Sequence, residues 1–284
     1  MTRPLRIEFP GALYHITSRG NERRTIFLSD HDRDQFLHIL ASVVESHHWL
    51  CHAYCLMDNH YHLLIETPEG NLSKGMRDLN GIYSQRFNRQ HNRVGHLFQG
   101  RFKSFLIEKE TYLLEVARYI VLNPVRVNSV QHPREWKWSS YAATAGYQKP
   151  HKTLTKNWIL RYFGEDNDKA KRAYRQFVAD GMEMESPFEK IIEGTILGFP
   201  QFIDSIWNLK TDTEELTEVP RGERMIGRPD LKDLLTELEN KIDRNNMITK
   251  AYFRCGYTQK EIADFLHLHY STVSKIIENS RFKT

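Results

Sequence analysis

The chain has 284 residues, of which 40% are hydrophobic and 12% aromatic, with 14 His and only 3 Cys. That composition is globular and excludes a disordered tail, a collagen-like rod and a disulfide scaffold. No apolar run approaches the roughly 18 residues of a membrane span, and the opening MTRPLRIEFP lacks the apolar stretch of a secretory signal, so a cytoplasmic protein with no membrane partner is expected. The net charge of +4 is mild, but it is unevenly spread. Residues 1–150 carry 19 basic and 14 acidic side chains and eleven of the histidines, against 21 basic and 22 acidic in residues 151–284. Chemistry and a polyanionic partner are therefore expected in the N-terminal part. Cys51, Cys55 and Cys255 lack paired C-x-x-C spacing and read as packing residues.

Strand and helix patterns alternate along the first half. Leu13–Ser18 (LYHITS) reads as a strand, followed by a basic turn around Gly20 with Arg19, Arg23 and Arg24. A helix is expected from Asp30, with Phe36, Leu37, Leu40, Val43 and Val44 on one face. Trp49–Met57 and His60–Glu66 read as two strands joined through Asp58 and Asn59. A second helix, Leu72–Arg89, buries Leu72, Met76, Leu79, Tyr83 and Phe87. A fourth strand, Arg101–Ile107, leads to a third helix from Glu110 that is expected to stop at Leu122, before Pro124. Strands followed by helices in this order predict an α+β layer architecture.

Residues 151–229 read as a helical connector ending in a polar linker from about residue 210. From Asp230 onward the pattern is helical. Thr258 and Glu261 form a T-x-x-E capping box opening one helix, and Val273, Ile276 and Ile277 mark another across a break at His267–Tyr270. Two short helices across a tight turn fit a helix-turn-helix, with Ser271, Thr272, Ser274 and Lys275 facing outward toward duplex DNA. A helical hairpin used for packing or dimerisation fits the same pattern.

His60 and His62 lie on one face of their strand, because strand side chains alternate with period two. Fourteen histidines would supply roughly 0.7 such pairs by chance, and His267 and His269 repeat the pattern where no third ligand is near in sequence. Tyr119 and Asn123, four residues apart, share one face of the third helix. Two imidazoles and an amide oxygen make a mixed N/O set suited to Mg²⁺ or Mn²⁺ bound together with substrate phosphates. A core aromatic at Tyr119 and a helix-terminal residue at Asn123 are the alternative roles.

Four segments in order, Tyr14–Asn21 (YHITSRGN), Met57–Leu64 (MDNHYHLL), Phe98–Lys103 (FQGRFK) and Tyr119–Arg126 (YIVLNPVR), resemble the REP-associated tyrosine transposases of the single-tyrosine HUH superfamily, over roughly residues 5–145. The resemblance implies a ferredoxin-like antiparallel sheet with packed helices as the catalytic domain (1–150), which cuts and rejoins single-stranded DNA beside hairpins. It implies His60, His62 and Asn123 as metal site and Tyr119 as nucleophile, forming a 5′-phosphotyrosine. The pattern departs at Asp58, where the family often has Pro, and after Arg126, where Val-Asn-Ser-Val replaces the usual Ala-Gly-Leu-Val. Gly256–Ile277 is similar to the helix-turn-helix of chromosomal replication initiators, making 230–284 a DNA-binding domain.

Tyrosine, with an ordinary pKa of about 10, needs help to attack a phosphodiester at neutral pH, and a metal ion beside it would supply part of that help. Glu115, one turn before Tyr119, is either a proton acceptor or a solvated carboxylate. Arg86, Arg89, Arg93, Arg101 and Lys103 interleave with Phe87, Phe98 and Phe102, as in a groove that tracks phosphates and stacks unpaired bases. Arg19, Arg23 and Arg24 would form a second clamp. The competing reading from another class is a non-catalytic DNA-binding regulator.

Overall fold

The computed structural model describes residues 7–190, 195–211, 230–235, 241–253 and 257–281. Of the linker expected from about residue 210, residues 212–229 lie outside the described residues, as do Cys255 and Gly256, while 210 and 211 end a helix. Two compact units are present, one of Ile7–Ile191 with Ile196–Gly198, the other containing the chain from Phe199 onward.

In the first unit the order is β1 (Ala12–Arg19), α1 (Asp30–Ser46), β2 (Leu50–Leu56), β3 (His60–Thr67), α2 (Leu72–Gln90), β4 (Lys103–Ile107) and α3 (Lys109–Arg126). The sheet order β2-β3-β1-β4, with every one of these pairs antiparallel, is the ferredoxin-like arrangement inferred from the motifs. A two-residue strand, β5 (Ile196–Leu197), adds parallel to β4 at the edge, which no sequence pattern announced.

Register decides which side chains share a face. Thr17 pairs with His62 and Arg19 with His60 across β1 and β3, and Lys103 pairs with Thr17 on the other side. Since paired residues project to the same side of a sheet, Leu13, His15, Thr17 and Arg19 stand with His60, His62 and Leu64 on one face. Helix α3 packs there through Leu113, Val116, Ala117 and Ile120. Helices α1 and α2 cover the other face, where Phe36 meets Tyr61 at 4.7 Å and Tyr83 at 5.1 Å.

α1 starts where Ser29 and Asp32 exchange side-chain and backbone hydrogen bonds in a capping box, satisfying two donors the helix leaves over. α3 does not stop at Leu122; it runs through Pro124 to Arg126. The correction has a simple cause. Pro124 sits in the last turn, where its missing N–H forfeits one bond, and the Asn123 amide donates back to the Tyr119 carbonyl at 3.0 Å, tying that turn.

The unit does not end near residue 150. Residues 136–155 line the edge of β2, with Leu56 N–H donating to Trp138 O, Ser140 N–H to Tyr54 O and Thr155 N–H to Cys51 O. Past α4 (Tyr141–Thr144), helices α5 (Lys156–Arg161) and α6 (Asn167–Asp180) add Ile159, Leu160, Ala170, Tyr174 and Val178 to the core that α3 forms with the sheet. Cys51 and Cys55 are buried free thiols, as their packing role requires.

The second unit holds α7 (Pro200–Thr211), α8 (Leu231–Leu235), α9 (Lys241–Phe253), α10 (Gln259–Phe265) and α11 (Tyr270–Arg281). Its core joins Leu231, Leu234, Ile248, Ala251, Ile262, Val273 and Ile277. The Thr258–Glu261 capping box forms, and α10 and α11 lie on either side of the expected break. Among the described residues no helix is long and apolar enough to cross a membrane.

Candidate active site

Strand β3 presents His60 and His62 with their rings edge to face, centroids 5.0 Å apart. The turn before them is held from three sides. Met57 N–H donates to His60 O at 2.9 Å, Gly20 N–H to Asn59 O at 2.8 Å, and the Asn59 amide to Arg23 O at 3.1 Å. Asp58 accepts from the Arg33 guanidinium on α1. His60 Nδ1 bonds Asn59 Oδ1 at 2.6 Å, and His62 Nδ1 bonds His15 Nε2 at 2.8 Å. Both Nε2 atoms of the pair stay outside these bonds.

Helix α3 places Tyr119 against the same sheet face. Its ring stands edge-on to His62 at 6.2 Å and to His15 at 6.1 Å. Asn123, 6% exposed, uses its NH₂ for the Tyr119 carbonyl and leaves its amide oxygen outside that bond. Among the described residues no three His, Cys, Asp or Glu side chains gather to hold a metal ion. The candidate donors are two imidazole nitrogens on β3 and the Asn123 amide oxygen on α3, a mixed set that would suit a divalent ion completing its coordination with phosphate oxygens and water rather than a closed structural zinc site.

Three residues to which the sequence pattern assigned no role complete the surroundings. The Arg126 guanidinium lies 5.2 Å over the Tyr119 ring and donates to the Met184 carbonyl at 2.7 Å. Phe188, from the turn Pro187–Lys190, packs on Tyr119 at 5.0 Å and on His15 at 4.6 Å. His15 is 3% exposed. Its signal in the sequence was a histidine on the inward face of a strand, a position normally apolar. Glu115, Arg118, Tyr119 and Arg126 line a cleft of about 380 Å³ with Met184–Pro187 and Glu189.

Burial dominates the electrostatics. It holds His15 down to about 3 and His60 to about 4, with the nearby Arg19 charge adding to the second effect. His62 is lowered by burial and then by His15 and His60. All three imidazoles are neutral at pH 7, the form in which histidine ligates metals.

The basic residues divide by face. Arg19 and Lys103 share the histidine face by register, and both are exposed. Arg23 and Arg24 lie in the adjoining turn, Arg24 paired with Glu22 at 2.6 Å. Arg101 is exposed in the loop before β4. Arg86 and Arg89 are exposed on α2, on the opposite side of the sheet. The base-stacking aromatics need correction: Phe87, Phe98 and Phe102 are 0%, 8% and 9% exposed. They pack inward, Phe98 against Tyr61 and Phe87 against Tyr83, because the apolar rings are worth more in the core than in a wet groove. In the second unit Ser271, Thr272 and Lys275 are exposed and Ser274 partly so, while Val273 and Ile277 are buried. His269 bonds Ser271 Oγ at 2.8 Å beside the start of α11, which gives it a structural role.

Residues 9–123 match the family model described as Transposase IS200 like. The match covers less than half of the chain. A Haemophilus influenzae protein provisionally assigned as a REP-associated tyrosine transposase is 27% identical over 142 residues, covering 46% of this chain and 80% of the relative. A solved REP-associated tyrosine transposase bound to a REP hairpin is 21% identical, with a TM-score of 0.45, over 51% of this chain and 86% of that one. A Deinococcus radiodurans protein provisionally described as a transposase is 19% identical, with a TM-score of 0.31, over 42% and 95%.

Proposed function

We propose that the N-terminal domain is an IS200-like transposase that cleaves and rejoins single-stranded DNA beside hairpins, using Tyr119 as nucleophile and a divalent ion, Mg²⁺ or Mn²⁺, held by His60, His62 and Asn123. The observation that carries the reading is the meeting, within one chain, of the Tyr119 ring and His62 at 6.2 Å, with His60 beside it at 5.0 Å. The ion, when bound, would neutralise the non-bridging oxygens of the scissile phosphate.

The chain's own groups do the rest. Tyr119 Oη attacks phosphorus, the P–O bond to the upstream strand breaks, and that strand leaves with a free 3′-OH while the downstream 5′-phosphate stays on the tyrosine. Arg126 stands over the Tyr119 ring, and Glu115 on the same cleft is the candidate to take the proton. The phosphotyrosine keeps the diester's free energy, so a second 3′-OH can reverse the step without ATP. Arg19 and Lys103, sharing the histidine face, hold backbone phosphates, and the exposed Arg23, Arg24 and Arg101 extend that surface. The outward-facing Ser271, Thr272, Ser274 and Lys275 fit duplex binding by the helix-turn-helix of 230–284.

The test incubates the full chain and its Tyr119→Phe variant with labelled hairpin-bearing single strands, with Mg²⁺ or EDTA, on a denaturing gel. A metal-dependent covalent band absent from the variant is the expected result. Tight hairpin binding with no covalent product under any metal would overturn the enzyme reading in favour of a DNA-binding regulator.

A further inference from the structure

His15 lies outside the proposed ligand set, yet it makes a hydrogen bond that reaches a ligand from the neighbouring strand. His15 and His62 are 47 residues apart in sequence, and their Nε2 and Nδ1 atoms lie 2.8 Å apart in the buried interior. The two ring planes lie within 8° of parallel, and their centroids are 5.1 Å apart. His15 is wedged in place by Phe105, 5.7 Å away and 16° from parallel, and by Phe188 at 4.6 Å.

A neutral imidazole has one donor and one acceptor nitrogen, so the direction of this bond fixes the tautomer of both rings. If His15 donates, His62 accepts at Nδ1 and carries its proton on Nε2, leaving no lone pair for an ion. If His62 donates from Nδ1, its Nε2 lone pair is available. Either direction leaves His15 Nδ1 buried without a hydrogen-bond partner, as an acceptor in the first and as a donor in the second. Leaving a buried polar atom unsatisfied costs free energy. A ring kept only for packing would avoid that cost by being apolar, as its neighbours Phe105 and Phe188 are. The polar ring at position 15 is accounted for by the bond it makes to His62.

We propose that His15 is a positioning residue, accepting the Nδ1 proton of His62 and so holding the His62 Nε2 lone pair ready for the divalent ion. This rests on the metal-site reading above. Acceptors behind ligating histidines fix ring orientation and tautomer in this way, and their loss typically lowers metal affinity about 10–100-fold.

The test uses the full chain, first metal-free with ¹⁵N-labelled histidine, then titrated with Mn²⁺ by calorimetry. The expected wild-type spectrum has His62 as the Nδ1–H tautomer. His15→Phe keeps a ring but no acceptor; it should shift His62 toward the Nε2–H form and weaken Mn²⁺ binding about 10–100-fold. His15→Gln restores an acceptor and should recover affinity to within a few-fold, with circular dichroism confirming that each variant folds. A wild-type His62 in the Nε2–H form overturns the proposal without needing any variant. Mn²⁺ uptake lost in His60→Ala but unchanged in His15→Phe overturns the role of His15 alone. No uptake by the wild type overturns the metal-site reading itself.

Discussion

Glycine 75 offers a sharp test of the packing that supports the active-site sheet. It lies inside α2, where glycine is ordinarily worth about 1 kcal/mol less than alanine, so Gly75→Ala on an unencumbered helix would stabilise. Here a Cβ would stand 2.2 Å from Trp49 Cζ2 and 2.6 Å from Cη2, far inside ordinary van der Waals contact. The indole has little room to retreat. Trp49 is 2% exposed, and its Nε1–H donates to Asn71 Oδ1 at 2.7 Å. Overpacking costs about 1–3 kcal/mol, and an indole N–H pulled off its acceptor costs about 1–3 more. Against a gain of about 1 kcal/mol from helix propensity, the net expectation is a loss of about 3 kcal/mol. For a unit of this size that is a fall in Tm of roughly 6–12 °C. Gly81 in the same helix is the control, since a Cβ there would meet nothing within 4 Å. Gly81→Ala should gain about 0.5–1 kcal/mol. Urea unfolding followed by tryptophan fluorescence and circular dichroism would read both variants. Equal stability of the two, or any stabilisation by Gly75→Ala, would refute the packing argument.

Acid should weaken the same unit. The folded state holds His15 at about 3 against an ordinary 6.5, so as pH falls below about 6.5 the unfolded chain takes a proton the folded chain refuses. Stability from this group is complete above pH 6.5 and declines toward pH 3; at pH 5 the loss is about 2 kcal/mol, and a smaller, solvent-screened contribution comes from His60. Urea midpoints at pH 7 and 5 would check it, and a flat profile would contradict the buried neutral imidazoles. Ser29→Ala removes the acceptor for Asp32 N–H at the start of α1 and should cost about 1 kcal/mol by the same unfolding measurement. Arg19→Ala should lower the slope of log affinity against log salt for single-stranded DNA by about 0.7. Arg86→Ala, on the far side of the sheet, should leave that slope unchanged; fluorescence anisotropy across a salt series separates the two.

Much of the candidate site was legible because its signals are local. Period-two alternation puts His60 and His62 on one face whatever the rest of the chain does, and four-residue spacing puts Asn123 one turn from Tyr119. The T-x-x-E box at Thr258 likewise depends on atoms three residues apart. Composition, by contrast, could not tell an aromatic in a basic groove from one in the core, and Phe87, Phe98 and Phe102 went inward. Proline's local preference gave too early an end to α3, since a proline in a last turn gives up only one bond.

What the sequence alone determined was therefore the pattern: strands and helices in α+β order, a same-face histidine pair and a tyrosine–asparagine turn. Only the tertiary structure decided which of these meet. The antiparallel register of β1 and β3 brings His15 to His62 across 47 residues, and the packing of α3 sets Tyr119 over the same face. The folding of residues 184–190 then adds Met184 and Phe188 around them. Such contacts arise from burying apolar surface between distant segments, and no spacing within one segment encodes them.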